Sequence, residues 1–172
     1  MYLMKKRVAK YIGDLVYGAN DGIITTFAIV AGVAGANLSP AVVIILGVSN
    51  VLADGFSMAS SNYLARKSEK DYLDNIGKEG GNVNNPIKNA VVTFVAFILA
   101  GSIPLVPYVF GIKENVFNYA ILATTIALFT VGSLRARVTG MNWIKAGLEM
   151  LFVGALAAGV AYFIGRALSY LI

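Results

Sequence analysis

The stretch "VYGANDGIITTFAIVAGVAG", residues 16–35, consists almost entirely of small and apolar side chains, yet it holds Asp21 near its start. A run of about twenty such residues is long enough to cross the hydrocarbon core of a bilayer as a helix. A carboxylate near the middle of such a helix costs roughly 2.5–3.5 kcal/mol. The sequence therefore indicates that Asp21 has a partner or a function inside the membrane.

The composition of the whole chain also favours a membrane protein. Of its 172 residues 58% are hydrophobic and 13% are charged, whereas about a quarter of the residues of a soluble domain are charged. The chain has no histidine and no cysteine, which excludes disulfides, thiolate nucleophiles and histidine bases. Its basic residues lie at the ends of apolar runs and form no single patch, so we expect no nucleic-acid partner.

Apolar windows of helical length predict an all-α membrane protein with five transmembrane helices per protomer, in a single domain of residues 1–172. In the turn "NLSP", Ser39 is expected to cap the second helix and Pro40 to begin it. Pro104 and Pro107 predict a kink or an end in the third span. The first half of the 67–88 loop is able to continue the second helix. The predicted spans cover residues 15–37, 41–65, 89–111, 116–135 and 146–169.

The distribution of lysine and arginine predicts the orientation. Twelve of these residues fall on the side of the N-terminus and of the 67–88 loop, and two, Lys113 and Arg166, fall on the other. By the positive-inside rule the N-terminus is expected to be cytoplasmic and the C-terminus outside or luminal. The first apolar run is too long for a signal peptide, so we expect it to remain as a span. The protein should be a multi-pass integral membrane protein, in the plasma (inner) membrane of a prokaryote or an organelle membrane otherwise.

A hairpin of the first two spans would bring three ligand-type side chains to one depth. Asp21 lies seventeen positions before residue 38, and Asp54 and Met58 lie sixteen and twenty positions after it. At about 1.5 Å per residue the three side chains lie close to one level of the membrane. We therefore predict Asp21, Asp54 and Met58 as metal ligands. Secondary candidates for the same pathway are Asn50, Ser57, Ser61, Asn62 and Glu149.

Each of these residues also has a structural interpretation. The intramembrane acids could serve only as hydrogen-bond partners of neighbouring helices, and Met58 could fill a gap in the packing. Asp14 is expected to be a solvated acid near the start of a helix, and Glu149 could be a helix-start acid paired with Lys145. Six glycines are expected at close-packing positions: Gly18, Gly22, Gly32, Gly35, Gly154 and Gly159.

The predicted ligand set indicates the kind of metal. Oxygen ligands with one thioether, and no imidazole or thiolate, suit manganese or ferrous iron better than zinc or copper. A thioether adds little to a magnesium or calcium site. Carboxylates in a medium of low dielectric constant bind protons readily, so a metal could be exchanged for protons. The metal would be the substrate, and we expect neither a resident cofactor nor a catalytic residue.

Two stretches, "DLVYGANDGIITTFAIVAGVAGANLS" and "LADGFSMASSNYLARKSEKD", resemble the vacuolar iron transporter family. The hallmarks of that family are G-x-x-D-G in helix one and S-M-A in helix two. "IPLVPY" and "RARVTGMNWIKAGLEMLFVGALAAGVAYFIGRAL" are similar to its later helices. The resemblance implies a homodimer that moves ferrous iron or manganese out of the cytosol, in several members by proton antiport. The pathway aspartate and methionine of the family match Asp21 and Met58.

The sequence departs from the family in two places. Members carry an acidic metal-binding insert between helices two and three, for which the 67–88 link is too short. Many members have a glutamate where this chain has Asn62, so a cytosolic site that collects metal is in doubt. We hypothesise that Asp54 replaces part of the missing charge.

Other functions fit the sequence less well than metal export does. A proton-coupled exporter of organic cations would need an aromatic pocket around one acid, whereas the first hairpin has small residues and two aspartates. A purely structural membrane protein would not need polar groups at one depth. In a lipid phosphotransferase motif of the form D-x-x-D-G-x-x-A-R, Val51 would stand in the place of the first aspartate. We therefore do not expect an enzyme.

Overall fold

The computed structural model describes residues 2–77 and 85–171, with side chains from residue 11 onward. This part of the chain forms helices and no strand. Between α3 and α4 the backbone makes one 3-10 turn, Ile103–Leu105. The helices are α1 Tyr2–Gly35, α2 Pro40–Asn75, α3 Pro86–Gly101, α4 Val106–Val109, α5 Val116–Thr139 and α6 Trp143–Leu168.

Within the described residues, five segments are long and apolar enough to cross a membrane, which confirms the predicted fold class. The boundaries differ from the predicted ones mainly at one end of the bundle, where α1 begins before residue 15 and α2 continues past residue 65 to Asn75. We call this the basic end, because Arg66, Lys88 and Arg135 lie there. The spans are Tyr11–Gly35, Pro40–Asn75, Pro86–Val109, Val116–Thr139 and Trp143–Leu168.

The breaks between helices follow the local sequence. Asn37 adopts the left-handed backbone conformation (φ 55°) in the turn before α2, a conformation that asparagine tolerates better than most residues. Ser39 occupies the N-cap position and Pro40 the first turn, as predicted, but the Ser39 side chain makes no capping hydrogen bond. Around Pro104 and Pro107 the third span changes from α3 to a 3-10 turn and then α4, which confirms the predicted interruption. Part of the 67–88 link, residues 78–84, lies outside the described residues.

Helix α1 is the centre of the bundle and contacts α2, α3, α5 and α6. Its glycines allow backbones to approach closely: a methyl group at Gly18 would lie 2.5 Å from the Thr93 carbonyl oxygen, and one at Gly22 would lie 2.6 Å from the Phe97 carbonyl oxygen. Gly35 and Gly154 are also tightly packed, as predicted. Gly159 is a correction, because nothing lies within 4 Å of an added methyl group there.

Gly22→Ala should therefore separate α1 from α3. We expect a loss of about 1–3 kcal/mol in the free energy of unfolding, the usual cost of adding volume to a close-packed position. Gly159→Ala adds the same methyl group in open space and should raise stability slightly, by about 0.5–1 kcal/mol, because alanine favours a helix more than glycine does. Equilibrium unfolding of the purified proteins by SDS in mixed micelles measures both. Equal stability of the two variants would contradict the close α1–α3 contact.

Candidate functional site

A hydrogen bond between α1 and α2 fixes the relative heights of their side chains. The Asn62 amide donates from Nδ2 to Asp14 Oδ1 at 2.8 Å, so residues 14 and 62 lie at one level. Because the helices are antiparallel and rise equally per residue, positions whose numbers add up to about 76 lie at the same height. The register also predicts a hairpin centred on residue 38, and the turn does lie between Gly35 and Pro40.

This register places the three predicted ligands close together in height. Asp21 is level with Gly55, so Asp54 lies within about 2 Å of that height and Met58 within about 5 Å. Asp21 and Asp54 are both half-buried, whereas Met58 is only 9% exposed. The carboxylate of Asp21 lies close enough to that of Asp54 for the two charges to interact. Asp21 is two residues from the middle of the span Tyr11–Gly35, so the pair of acids lies deep in the membrane.

Phe97 closes the inner side of this level. Its carbonyl oxygen packs against Gly22 of α1, and its ring lies 3.3 Å from the position of a methyl group on Gly55 of α2. The Phe97 side chain is completely buried. The acids are consequently backed by an apolar ring on one side, and a ligand must approach them from the outer side of the α1–α2 hairpin.

The secondary candidates divide into two groups. Ser57 and Ser61 are exposed on the outer face of α2, where they continue the stripe that contains Asp54. Asn50 is half-buried one turn from Asp54, and its Nδ2 is buried without a hydrogen-bond partner in the described part of the protein. Thr26 Oγ1, which lies at the same height as Asn50, is likewise buried without a hydrogen-bond partner among the described residues. Polar groups thus continue from the two acids towards the end of the bundle that holds the α1–α2 turn.

Asp14 is not the solvated acid that we expected. It is 5% exposed, and its Oδ2 accepts a hydrogen bond from Asn89 Nδ2 at 2.8 Å in addition to the bond from Asn62. Asn62 also donates to Thr93 Oγ1 at 2.7 Å, and an Arg66 guanidinium nitrogen lies 3.7 Å from Asp14 Oδ1. Because a buried carboxylate is stable only with such partners, Asp14 joins α1, α2 and α3 at the basic end. We call these five residues the Asp14 cluster.

Asn62, a secondary candidate for the metal pathway, belongs to this cluster and does not lie beside Asp21 or Asp54. Sequence reasoning missed Asn89 and Thr93 altogether. The available signal was their spacing of four residues near the start of an otherwise apolar helix, which places two polar side chains on one face.

Glu149 lies apart from the other predicted residues. Its Oε2 accepts a hydrogen bond from Arg135 Nη2 of α5 at 2.6 Å, so its ion-pair partner is Arg135 and not Lys145. The side chain is 60% exposed. Glu149 faces a cleft between α1, α5 and α6 and is therefore separate from the α1–α2 level that holds Asp21.

The arrangement suits reversible binding of a cation. Two carboxylates balance one divalent charge, and a thioether and an amide lie near their height. In the described part of the chain no group of three or more acidic side chains comes together. The described part of one chain therefore brings two acids and one thioether to this level of the hairpin.

The fold and this site define a class: a small, five-span membrane protein whose first hairpin carries facing acids within the bilayer. The sequence model of the VIT family matches residues 12–80 and 75–166. The chain belongs to that family, as its motifs led us to expect. The two matched segments meet at residues 75–80, in the link between α2 and α3.

Relatives match along most of this chain. It is 25% identical to vacuolar iron transporter 1 of Tulipa gesneriana, over 91% of this chain and 86% of the relative. It is 24% identical to vacuolar iron transporter 1 of Arabidopsis thaliana, over 92% and 86%. The vacuolar iron transporter of Toxoplasma gondii is 26% identical, over 94% and 76%. The tulip alignment runs over 213 positions, more than this chain contains, so the relative has segments that this chain lacks.

Proposed function

We propose that the protein moves ferrous iron, manganese or both out of the cytosol in exchange for protons, and that Asp21, Asp54 and Met58 bind the metal on its way. The observation that supports this best is the α1–α2 register, which puts two interacting carboxylates and a buried thioether near the middle of the membrane. The names of the relatives, vacuolar iron transporters, support a metal ion as the substrate.

Proton exchange is supported by the same two acids. Without a metal, neighbouring carboxylates in a medium of low dielectric constant repel one another, and a proton on one of them relieves that repulsion. With a divalent cation between them both are favoured in the charged form. Metal and protons would consequently compete for one place, which is the requirement for antiport.

A homodimer is part of this proposal. The outer face of α2 carries Leu52, Phe56 and Ser57, all exposed, beside the half-buried Asp54. A second copy on this face would add its own acids and thioether across a two-fold axis. The coordination sphere that one described chain offers only in part would then approach about six ligands, the number that such cations commonly take.

Met58→Ala should change the choice of metal more than the total flux. A thioether stabilises a transition metal and contributes little to magnesium or calcium. We expect the apparent affinity for ferrous iron to fall by roughly 10–100-fold, the range for loss of a group that supports a metal site. Met141→Ala, an exposed methionine between α5 and α6, is the matched control. Unchanged affinity in Met58→Ala would remove Met58 from the site.

The experiment that tests the function is metal uptake into proteoliposomes. Wild-type protein is reconstituted with a metal-sensitive dye inside and a pH gradient across the membrane, and ferrous iron, manganese, magnesium and zinc are added in turn. We expect flux of iron or manganese that reverses or stops when the gradient is reversed or removed. If no metal moves in either direction of the gradient, metal transport is wrong, and the organic-cation exporter becomes the next candidate.

A further inference from the structure

A cleft of about 390 Å³ lies between α1, α5 and α6 at the basic end. Gly13 and Asn20 lie on the face of α1 that lines the cleft. By helical spacing this face is opposite Gly18 and Gly22, which pack on α3. The residues that line the cleft include neither the proposed metal ligands nor any member of the Asp14 cluster. Its polar lining residues are Tyr17, Asn20, Arg135, Thr139 and Glu149.

Two buried polar atoms in this cleft have no hydrogen-bond partner among the described residues. Arg135 uses Nη2 to bind Glu149, but its Nε is buried and makes no hydrogen bond to the described residues. Asn20 Oδ1 is also buried and accepts no hydrogen bond from the described residues. Each buried unpaired polar group costs about 1–3 kcal/mol, so such atoms are rare without a ligand or solvent to satisfy them. The cleft thus offers hydrogen-bonding capacity that the described part of the protein does not use.

The charge of the cleft favours an anion. Lys145 lies one turn before Glu149 on the same face of α6, and none of the ion pairs in the described part includes it. The charged residues that line the cleft are Arg135 and Glu149, and Lys145, one turn from Glu149, adds a second cation beside them. A guanidinium presents several donors in a plane, a geometry that matches the oxygens of a phosphate group.

An apolar cavity of about 570 Å³ continues the groove towards the other end of the bundle. Phe27 and Ala31 of α1 line it, and they follow Asn20 on the same helical stripe. Arg135 lies four residues before the end of α5, or about 6 Å along the axis, near the depth of lipid headgroups. A cleft with charged residues that is followed by an apolar cavity matches a molecule with a phosphate head and a hydrocarbon tail.

We propose that this groove binds one phospholipid with an anionic headgroup. Its phosphate meets Arg135 in the cleft and Lys145 beside it, and one acyl chain enters the apolar cavity between α1, α5 and α6. Basic pockets between membrane helices at the cytoplasmic surface are suited to such lipids. The groove is distinct from the proposed metal site, because Asp21, Asp54 and Met58 are not among the residues that line its two cavities.

The test counts lipids that remain bound to the purified full-length protein. The protein is exchanged into mixed micelles with equal amounts of phosphatidylglycerol and phosphatidylcholine, and native mass spectrometry then measures which lipid is retained. We expect preferential retention of phosphatidylglycerol. Arg135→Gln should lower it by about fivefold, the effect of one basic residue near an anionic surface.

Two further variants distinguish the groove from general surface charge. Arg137→Gln removes the same charge two positions away, on the opposite side of α5, and should retain lipid like the wild type. Gly13→Phe fills the cleft, since nothing lies within 4 Å of an added methyl group at Gly13, and should prevent retention with all charges in place. Equal losses in Arg135→Gln and Arg137→Gln, or full retention in Gly13→Phe, would overturn the proposal.

The lipid headgroup is also distinguished from a free anion. Millimolar inorganic phosphate should leave the phosphatidylglycerol bound, because inorganic phosphate lacks the acyl chain that occupies the apolar cavity. Displacement of the lipid by inorganic phosphate, or equal retention of phosphatidylcholine, would show that the groove does not recognise an anionic phospholipid.

Discussion

Asp21→Asn should abolish transport, with a reduction of iron or manganese flux of at least about 100-fold, because even groups that only support a metal ligand are worth roughly 10–100-fold. The substitution keeps the size of the side chain but removes its negative charge and its ability to exchange a proton. Without that charge, the hairpin retains only Asp54 at this level. The same proteoliposome assay measures the flux.

Asp71→Asn makes the same chemical change at an exposed position near the end of α2 and should transport like the wild type. Asp54→Asn tests whether the second acid contributes charge to the site, and we expect it to lose most of the flux as well. If Asp54→Asn transports normally, Asp54 is not a ligand and only Asp21 supplies charge. Normal flux in Asp21→Asn would remove the proposed pathway altogether.

Asp14→Ala should destabilise the fold more than the loss of any exposed carboxylate. It would leave the buried Asn89 amide and one Asn62 hydrogen without the acceptor that they share. Each such loss costs about 1–3 kcal/mol, so we expect a total of about 3 kcal/mol although alanine favours a helix more than aspartate does. Unfolding by SDS in mixed micelles measures the change.

Two controls separate burial from charge at Asp14. Asp71→Ala removes an exposed carboxylate from a helix and should change stability little. Asp14→Asn retains one carbonyl acceptor in the same place and should cost less than Asp14→Ala. If Asp14→Ala is as stable as the wild type, the cluster does not hold α1, α2 and α3 together.

The sequence was sufficient for the architecture because bilayer thickness and helix geometry leave few choices. Apolar runs of about twenty residues, the turn before Pro40 and the interruption at Pro104 all correspond to structural features. The levels of Asp21, Asp54 and Met58 could be calculated in advance, because the short turn before α2 requires an antiparallel hairpin and both helices rise equally per residue.

The contacts between distant helices could not be obtained in the same way. The burial of Asp14 depends on Asn89, which lies 75 residues later, and no local pattern states which helix packs beside α1. Glu149 shows the same limit: Lys145 is its neighbour on α6, but Arg135 reaches it from α5. Rotation of a helix about its axis is set by tertiary packing, and a small rotation decides whether an acid meets water or an amide.

The unbroken length of α2 has a mechanical consequence. It runs without a break over the 36 residues Pro40–Asn75, or about 54 Å, whereas the hydrocarbon core is about 30 Å thick. Its last turns therefore project beyond the hydrocarbon core, on the far side of the Asn62–Asp14 hydrogen bond from Asp54. Because an unbroken helix is stiff, a force on these projecting turns would be transmitted along α2 to Asp54 and Met58.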